Sequence, residues 1–260
     1  MRARERGIAL VSVLWGVAIL SVIVATMLAT NIANTRVDRN NWSLARANAL
    51  ADGGVHRAIL ALLDTRPDHV VRADGTPWRF SLGGVRMTIA IQDENGLIDL
   101  NNAGPDVLTS LFQSVGMNQD QAKALAASIV ALQPQNAPPN AVVFHTVDEL
   151  LNVPGVTPTL FAQIGPALTV YSHSSTVDTN VAPRIVLAAM PGMDPATIDD
   201  MLAQRDAAFR TGTLAAPALG ANRAFAITVW VVLDNVRVIR HAVVQFTGDK
   251  DKPFWFIAWS

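Results

Sequence analysis

Histidines and acidic pairs are the side chains best suited to chemistry in this chain. His56, His69, His145, His173 and His241 are scattered, with no two at metal-ligand spacing. There is no Gly-x-Ser-x-Gly elbow and no His-Glu-x-x-His pair. The acidic pairs are Asp93-Glu94, Asp148-Glu149, Asp199-Asp200 and Asp249 with Asp251. Calcium takes several carboxylates and carbonyls from one loop, so each pair is a candidate. Lys250 and Lys252 interleave the last pair, however, and Asp148-Glu149 and Asp199-Asp200 fall where helix first turns favour acids. No EF-hand spacing occurs. The chain is therefore expected to be no enzyme and to need no cofactor, with calcium an open alternative and the metal residues undefined.

The segment Leu151-Asn152-Val153-Pro154-Gly155-Val156-Thr157-Pro158 is similar to a helix-hairpin-helix, in which turn N–H groups and nearby cations meet a DNA phosphate. Here Thr157 occupies the position of the second glycine. No Lys or Arg falls between Arg86 and Lys123, or between Lys123 and Arg184. A tight helical hairpin with Gly155 at a helix end accounts for the same residues. The formal net charge of −1 also disfavours a phosphate backbone as partner, so no nucleic acid is expected. The absence of cysteine leaves the core to hold the fold unaided.

Four kinds of element position these residues. From Gly7 to Thr35 no residue is charged, and Ile8, Leu14, Val17, Leu20, Ile23 and Met27 belong to a stretch that is apolar all round. Residues 8–33 are long enough to cross a bilayer core about 30 Å thick. Arg2, Arg4 and Arg6 form a short basic leader before this stretch, which is expected to place the N-terminus in the cytoplasm and send the rest outward. A cleaved secretory signal has a shorter apolar core, about 7–15 residues, and offers only a weak cut at Ala25 to Ala29. Beyond the apolar stretch, Leu44, Ala47, Ala51, Val55, Ala58 and Leu62 recur at helical spacing, so one helix is predicted from Ile8 to about Leu63. Gly53-Gly54 is its weak point, and Arg66-Pro67 ends it.

Alternation at Trp78, Phe80 and Leu82, then at Val85, Met87, Ile89 and Ile91, flanks Gly83-Gly84 and predicts a two-residue hairpin. A further turn is predicted at Asp93-Glu94-Asn95-Gly96. Strands return at Phe225 to Val231, turn at Asp234-Asn235, continue from Val236 to Phe246, and close with Phe254 to Trp259. Between them lies a helical segment with an internal near-repeat: Asp99-Leu100-Asn101-Asn102-Ala103 onward matches Asp178-Thr179-Asn180-Val181-Ala182 onward. Each block is read as a turn, an Asn cap and a helix start. Helical hairpins are predicted around Gly116, Gly155 and Gly192, and residues 133–140, with Pro134, Pro138 and Pro139, as an exposed loop.

The junction Arg6-Gly7-Ile8, a short basic leader ending in glycine directly before an apolar helix, resembles the class III signal of type IV pilins and type II secretion pseudopilins. With the helix, the hairpin, the helical segment and the closing strands in this order, the whole chain resembles the K-type minor pseudopilin of type II secretion (the general secretion pathway protein K family). That resemblance implies cleavage between Gly7 and Ile8, N-methylation of Ile8, and a mature net charge of −3 once three Arg and one Glu are lost. It implies an α+β fold: a pilin-like long N-terminal helix on an antiparallel sheet, with an inserted all-helical domain of two SAM-like modules. The expected divisions are a leader at 1–7, a transmembrane helix at 8–33 and pilin-like helix and first strands at 34–98. Helical modules follow at 99–175 and 176–220, with C-terminal strands at 221–260. The implied role is a non-catalytic subunit at the tip of the pseudopilus, starting its assembly and supporting export of folded proteins across the outer membrane. The implied partners are the I- and J-type minor pseudopilins, the major pseudopilin, the prepilin peptidase and the inner-membrane secretion platform. The implied location is the inner membrane, single-pass, with the C-terminal domain periplasmic. Ser12 stands where most of the family has glutamate, which pairs with the N-terminal amine of a neighbouring subunit. The alternative is a minor pilin of a DNA-uptake or type IV pilus system, binding DNA through the Gly155 turn.

Overall fold

The chain begins on a single helix, α1 (Arg4–Leu63), 60 residues long, or about 90 Å at 1.5 Å per residue. The computed structural model describes residues 4–64, 66–133 and 144–260; for residues 4–10, 28–39 and 67 the description covers the backbone alone. The predicted stop holds: α1 ends at Leu63, and a short 3₁₀ turn, Pro67–His69, follows. The helix runs unbroken through Gly53 and Gly54.

The C-terminal half of α1 lies on a five-stranded antiparallel sheet ordered β1 (Trp78–Leu82), β2 (Val85–Asp93), β5 (Ala224–Leu233), β6 (Val236–Phe246) and β7 (Phe254–Trp259). Both predicted hairpins form. Gly83 (φ +57°) and Gly84 (φ +77°) both take the positive φ that a two-residue turn of this hand needs, and Asp234 (φ +53°) does so in the second. The alternation decides the faces. Met87, Ile89, Ile91, Phe225, Ile227, Val229 and Val231 point inward onto Ala47, Ala51, Val55, Ala58, Ile59 and Leu62 of α1. The small residues on α1 bring helix and sheet close. A Cβ on Gly54 would sit 2.7 Å from Val229 Cγ1 and 3.1 Å from Met87 Sδ, so this glycine is a contact requirement and not the weakness its type suggests.

Between β2 and its neighbour β5 the chain leaves the sheet for an inserted helical region. It contains α2 (Pro105–Ser114), α3 (Gln119–Leu132), a 3₁₀ turn at Val147–Asn152, α4 (Pro158–Ile164), α5 (Arg184–Ala189) and α6 (Pro195–Arg210). The three hairpins turn on Gly116 (φ +93°), Gly155 (φ +96°) and Gly192 (φ +78°). A parallel ladder of two pairs, β3 (Ile98–Asp99) on β4 (Leu168–Thr169), closes the base of the insert and has no counterpart in the sequence reading.

Three features go beyond or against expectation. The predicted segments 99–175 and 176–220 do not have separate cores: Leu108, Phe112, Ile129 and Ile164 of the first pack in one cluster with Val186, Leu187 and Ile198 of the second. Their apolar faces are too small to bury themselves and bury each other. The repeat blocks form the predicted turns, but Asn is not the helix cap. Asp99 Oδ1 accepts from Asn101 N and Asn102 Nδ2, and Asp178 Oδ1 from Asn180 N and Nδ2. The helices then start after Gly104 and Pro183. Gln133, the first residue of the predicted exposed loop, is buried, its Nε2 donating to the Leu100 and Ala103 carbonyls. The rest of that loop, 134–140, lies outside the described residues.

Candidate functional site

The predicted processing residues Gly7 and Ile8 lie in the first turns of α1, and Ser12 is exposed one turn further on. The described side chains that follow form an exposed apolar surface, with Val13 66%, Leu14 71%, Trp15 66%, Leu20 61% and Val22 64% exposed. Among the described residues no helix is long and apolar enough to cross a membrane. The described side chains of this stretch are those of residues 11–27.

The histidines stay apart. His56 packs against Phe256 and Trp259, His69 meets Asp64, His241 meets Thr228, and Glu149 Oε2 accepts from the backbone N–H of His145. His173 donates its backbone N–H to Asp99 Oδ2. Of the acidic pairs, Asp199 pairs with Arg184, Asp249 accepts from the N–H of Asp251, and Asp93 pairs with Arg223. Among the described residues no group of three or more His, Cys, Asp or Glu is placed to hold a metal ion. At the Gly155 turn, Thr157 Oγ1 accepts from Leu160 N and caps α4. The surface beside it is lined by uncharged residues, among them Met117, Gln121, Leu125 and Ser128. Among the described residues that line this surface, none is a cation.

What the tertiary structure brings together instead is a set of charges where the insert joins the sheet. Arg205 of α6, buried, donates to the carbonyls of Ala182 (3.0 Å) and Thr179 (2.8 Å) and reaches Asp74 Oδ2 at 3.4 Å. Arg72 Nε also donates to Asp74 Oδ2 (3.1 Å), and its Nη1 pairs with Asp206 of α6. Burial works to raise the Asp74 carboxyl, but Arg72 and Thr76 outweigh it and hold it below the usual carboxylate range. Arg223, just before β5, binds Asp93 at the end of β2 and Asp178 in the insert. Burial pushes Asp93 up against the pull of Arg223.

Glu94, fully enclosed in the turn after β2, is pushed up to about 7, chiefly by burial and further by the charges of Asp93 and Asp99, against a hydrogen bond from Thr169. It lines a cleft of about 490 Å³ between the insert and the sheet face turned away from α1, together with Tyr171, Thr228 and Trp230. None of these junction residues was singled out from sequence for this role. Their signal, lone charges in apolar surroundings, carries no partner information over separations of a hundred residues.

No family model matches the chain, and no curated protein matches it. Among solved structures, a chain of the crystal structure of the GspK-GspI-GspJ complex from the enterotoxigenic Escherichia coli type 2 secretion system is similar to it. The two share 12% identity and a TM-score of 0.47, over 88% of this chain and 97% of that one. A likeness at that identity and score does not by itself set the family.

Proposed function

We propose that the chain is a minor pseudopilin of type II secretion, of the K type, and has no catalytic role. The observation that carries this reading is α1 itself. One unbroken helix presents an apolar surface to its surroundings over residues 11–27 and then, from Ala47 to Leu62, packs on an antiparallel sheet. An all-round apolar helix has to be covered by lipid or by other helices. A 60-residue helix can do both in turn, first in the membrane over 8–33 and then in a filament bundle. On this reading a prepilin peptidase cuts between Gly7 and Ile8, Ile8 is methylated, and the globular part stands in the periplasm, attached to the inner membrane until assembly. The subunit joins I- and J-type minor pseudopilins, with the major pseudopilin and the inner-membrane platform as further partners. The insert between β2 and β5 gives the head a bulk that fits the tip of a pseudopilus, where assembly starts and export of folded proteins is driven. The DNA-uptake alternative is not favoured, since the Gly155 turn has uncharged surroundings.

Mass spectrometry of the protein purified from membranes tests this. A mature chain starting at methylated Ile8, copurifying with two other small pseudopilins, is the expected result. An intact Met1, or a start near Thr30, would overturn it.

A further inference from the structure

The face of the sheet turned away from α1 has an unusual end. β1 pairs Arg79 with Thr88, β2 pairs Thr88 with Trp230, and β5 pairs Trp230 with Ile239, so these four residues form one row across four strands. In the next row Val232 pairs with Arg237, and Arg86 lies on β2 two residues from Thr88, on the same face. Trp230 (37%), Val232 (57%) and Ile239 (62%) are exposed, as are Arg79, Arg86 and Arg237, which have no ion-pair partner among the described residues. The two hairpins hold two carboxylates. Asp93 is at the far end, paired with Arg223, and Asp234 is in the near turn, accepting from Ser43 Oγ.

This end of the sheet is also the one closest to the apolar stretch of α1. Ser43 touches the Asp234 turn, and Arg46 reaches the Gly83 carbonyl in the other turn. From Ala33, the last residue of the stretch, to Ser43 is ten residues, about 15 Å of helix. Headgroups extend roughly 5–8 Å beyond each side of the hydrocarbon core. The turns therefore stand roughly 10 Å from the headgroups, about one screening length at physiological salt.

We propose that this arginine- and tryptophan-bearing face docks on anionic phospholipid headgroups and holds the head against the membrane before it enters a filament. Arginines take the phosphates, and Trp230 with its aliphatic neighbours enters the interfacial layer, where tryptophan is favoured. The proposal rests on α1 crossing the bilayer, as read above. Each arginine near an anionic surface multiplies the docked-to-free ratio roughly fivefold, so three give about a hundredfold.

The chain has no cysteine, so single nitroxide labels can be placed cleanly on the full-length protein. One goes at Ile239→Cys and a second, separate one at Val17→Cys, each in vesicles of neutral phosphatidylcholine and in vesicles with added phosphatidylglycerol. The expected result is a Val17→Cys label shielded in both vesicle types, and an Ile239→Cys label shielded from a water-soluble relaxing agent in anionic vesicles only. That second shielding should fall with salt and disappear in Arg79→Glu/Arg86→Glu/Arg237→Glu. An Ile239→Cys label open to water in both vesicles, with the Val17→Cys label buried, would overturn the docking and leave the membrane span standing. Shielding that ignores lipid charge would overturn it too, and would mean that protein covers the face. A Val17→Cys label open to water would remove the span, and the docking with it. These exposed substitutions should leave the melting temperature unchanged, which checks that the head is folded.

Discussion

Arg223 Nε donates to Asp93 Oδ2 over 2.7 Å, joining the residue where the chain leaves the sheet to the residue just before it returns, 130 positions later. The same guanidinium reaches Asp178 inside the insert. One side chain therefore closes the sheet between β2 and β5 and ties the insert to it. Asp93 is fully buried, so the pair is sheltered from solvent and salt on its acidic side.

Removing Arg223 should leave a buried carboxylate without its counter-charge. Arg223→Ala is expected to cost about 3 kcal/mol of unfolding free energy. Adding Asp93→Asn should recover part of that, because the uncompensated charge is gone. Urea unfolding followed by circular dichroism, run as a double-mutant cycle, measures the coupling. Additive effects of the two changes would show that the bond contributes nothing.

Glu94 should make stability fall as pH rises. Its ordinary value of 4.5 is raised to about 7 in the folded chain. Below about 4.5 it is protonated in both states and contributes no pH dependence. Between 4.5 and 7 the folded state holds the proton more tightly, so each step up in pH costs stability, and above 7 the full cost stands. That cost is on the order of 3 kcal/mol. Glu94→Gln is expected to flatten this part of the profile and to be more stable than the parent at pH 8 but not at pH 4. Parallel parent and variant curves from denaturant titrations across that range would count against a buried, proton-holding Glu94.

Gly53 and Gly54 should respond oppositely to alanine. Alanine removes about 1 kcal/mol of helix cost at either site. At Gly54 the added methyl meets Val229 Cγ1 at 2.7 Å, and overpacking of this kind costs about 1–3 kcal/mol. At Gly53 it meets only Leu82 Cδ2, the end of a side chain that can move, at 3.1 Å. Thermal melts should show Gly53→Ala neutral or stabilised and Gly54→Ala destabilised, with Val229→Ala relieving the second.

Ser12 tests the tip assignment. A subunit that recruits onto no chain above it has no use for a carboxylate at this position, so Ser12→Glu is expected to leave secretion nearly unchanged. A strong secretion defect in a complementation assay would argue against a tip position. A charge at Val17 should instead block assembly, because that side chain lies on the apolar surface that lipid or neighbouring helices must cover.

Local rules were enough for the long helix, both hairpins and the three glycine turns. Spacing of three and four from Leu44 to Leu62 marks one helix face, and Gly83, Gly84 and Asp234 take the positive φ that their turns require. Of the proposed site, the apolar stretch and its Gly7-Ile8 junction were equally plain, being runs of residue type. The pairing of distant segments lay beyond those rules. That β2 neighbours β5, that Ile98 and Asp99 form a parallel ladder with Leu168 and Thr169, and that two helical segments share one core all depend on which surfaces meet after loop closure. Asp99 and Asn101 were legible as a turn, yet whether Asn would cap a helix depended on where Gly104 and Pro105 allowed the helix to start. Residue order by itself determined a helix that must be covered and strands that must pair. Only the tertiary structure decided that Arg72, Arg205 and Arg223 hold the insert at one angle to the sheet, because a buried charge takes its partner from whatever packs against it.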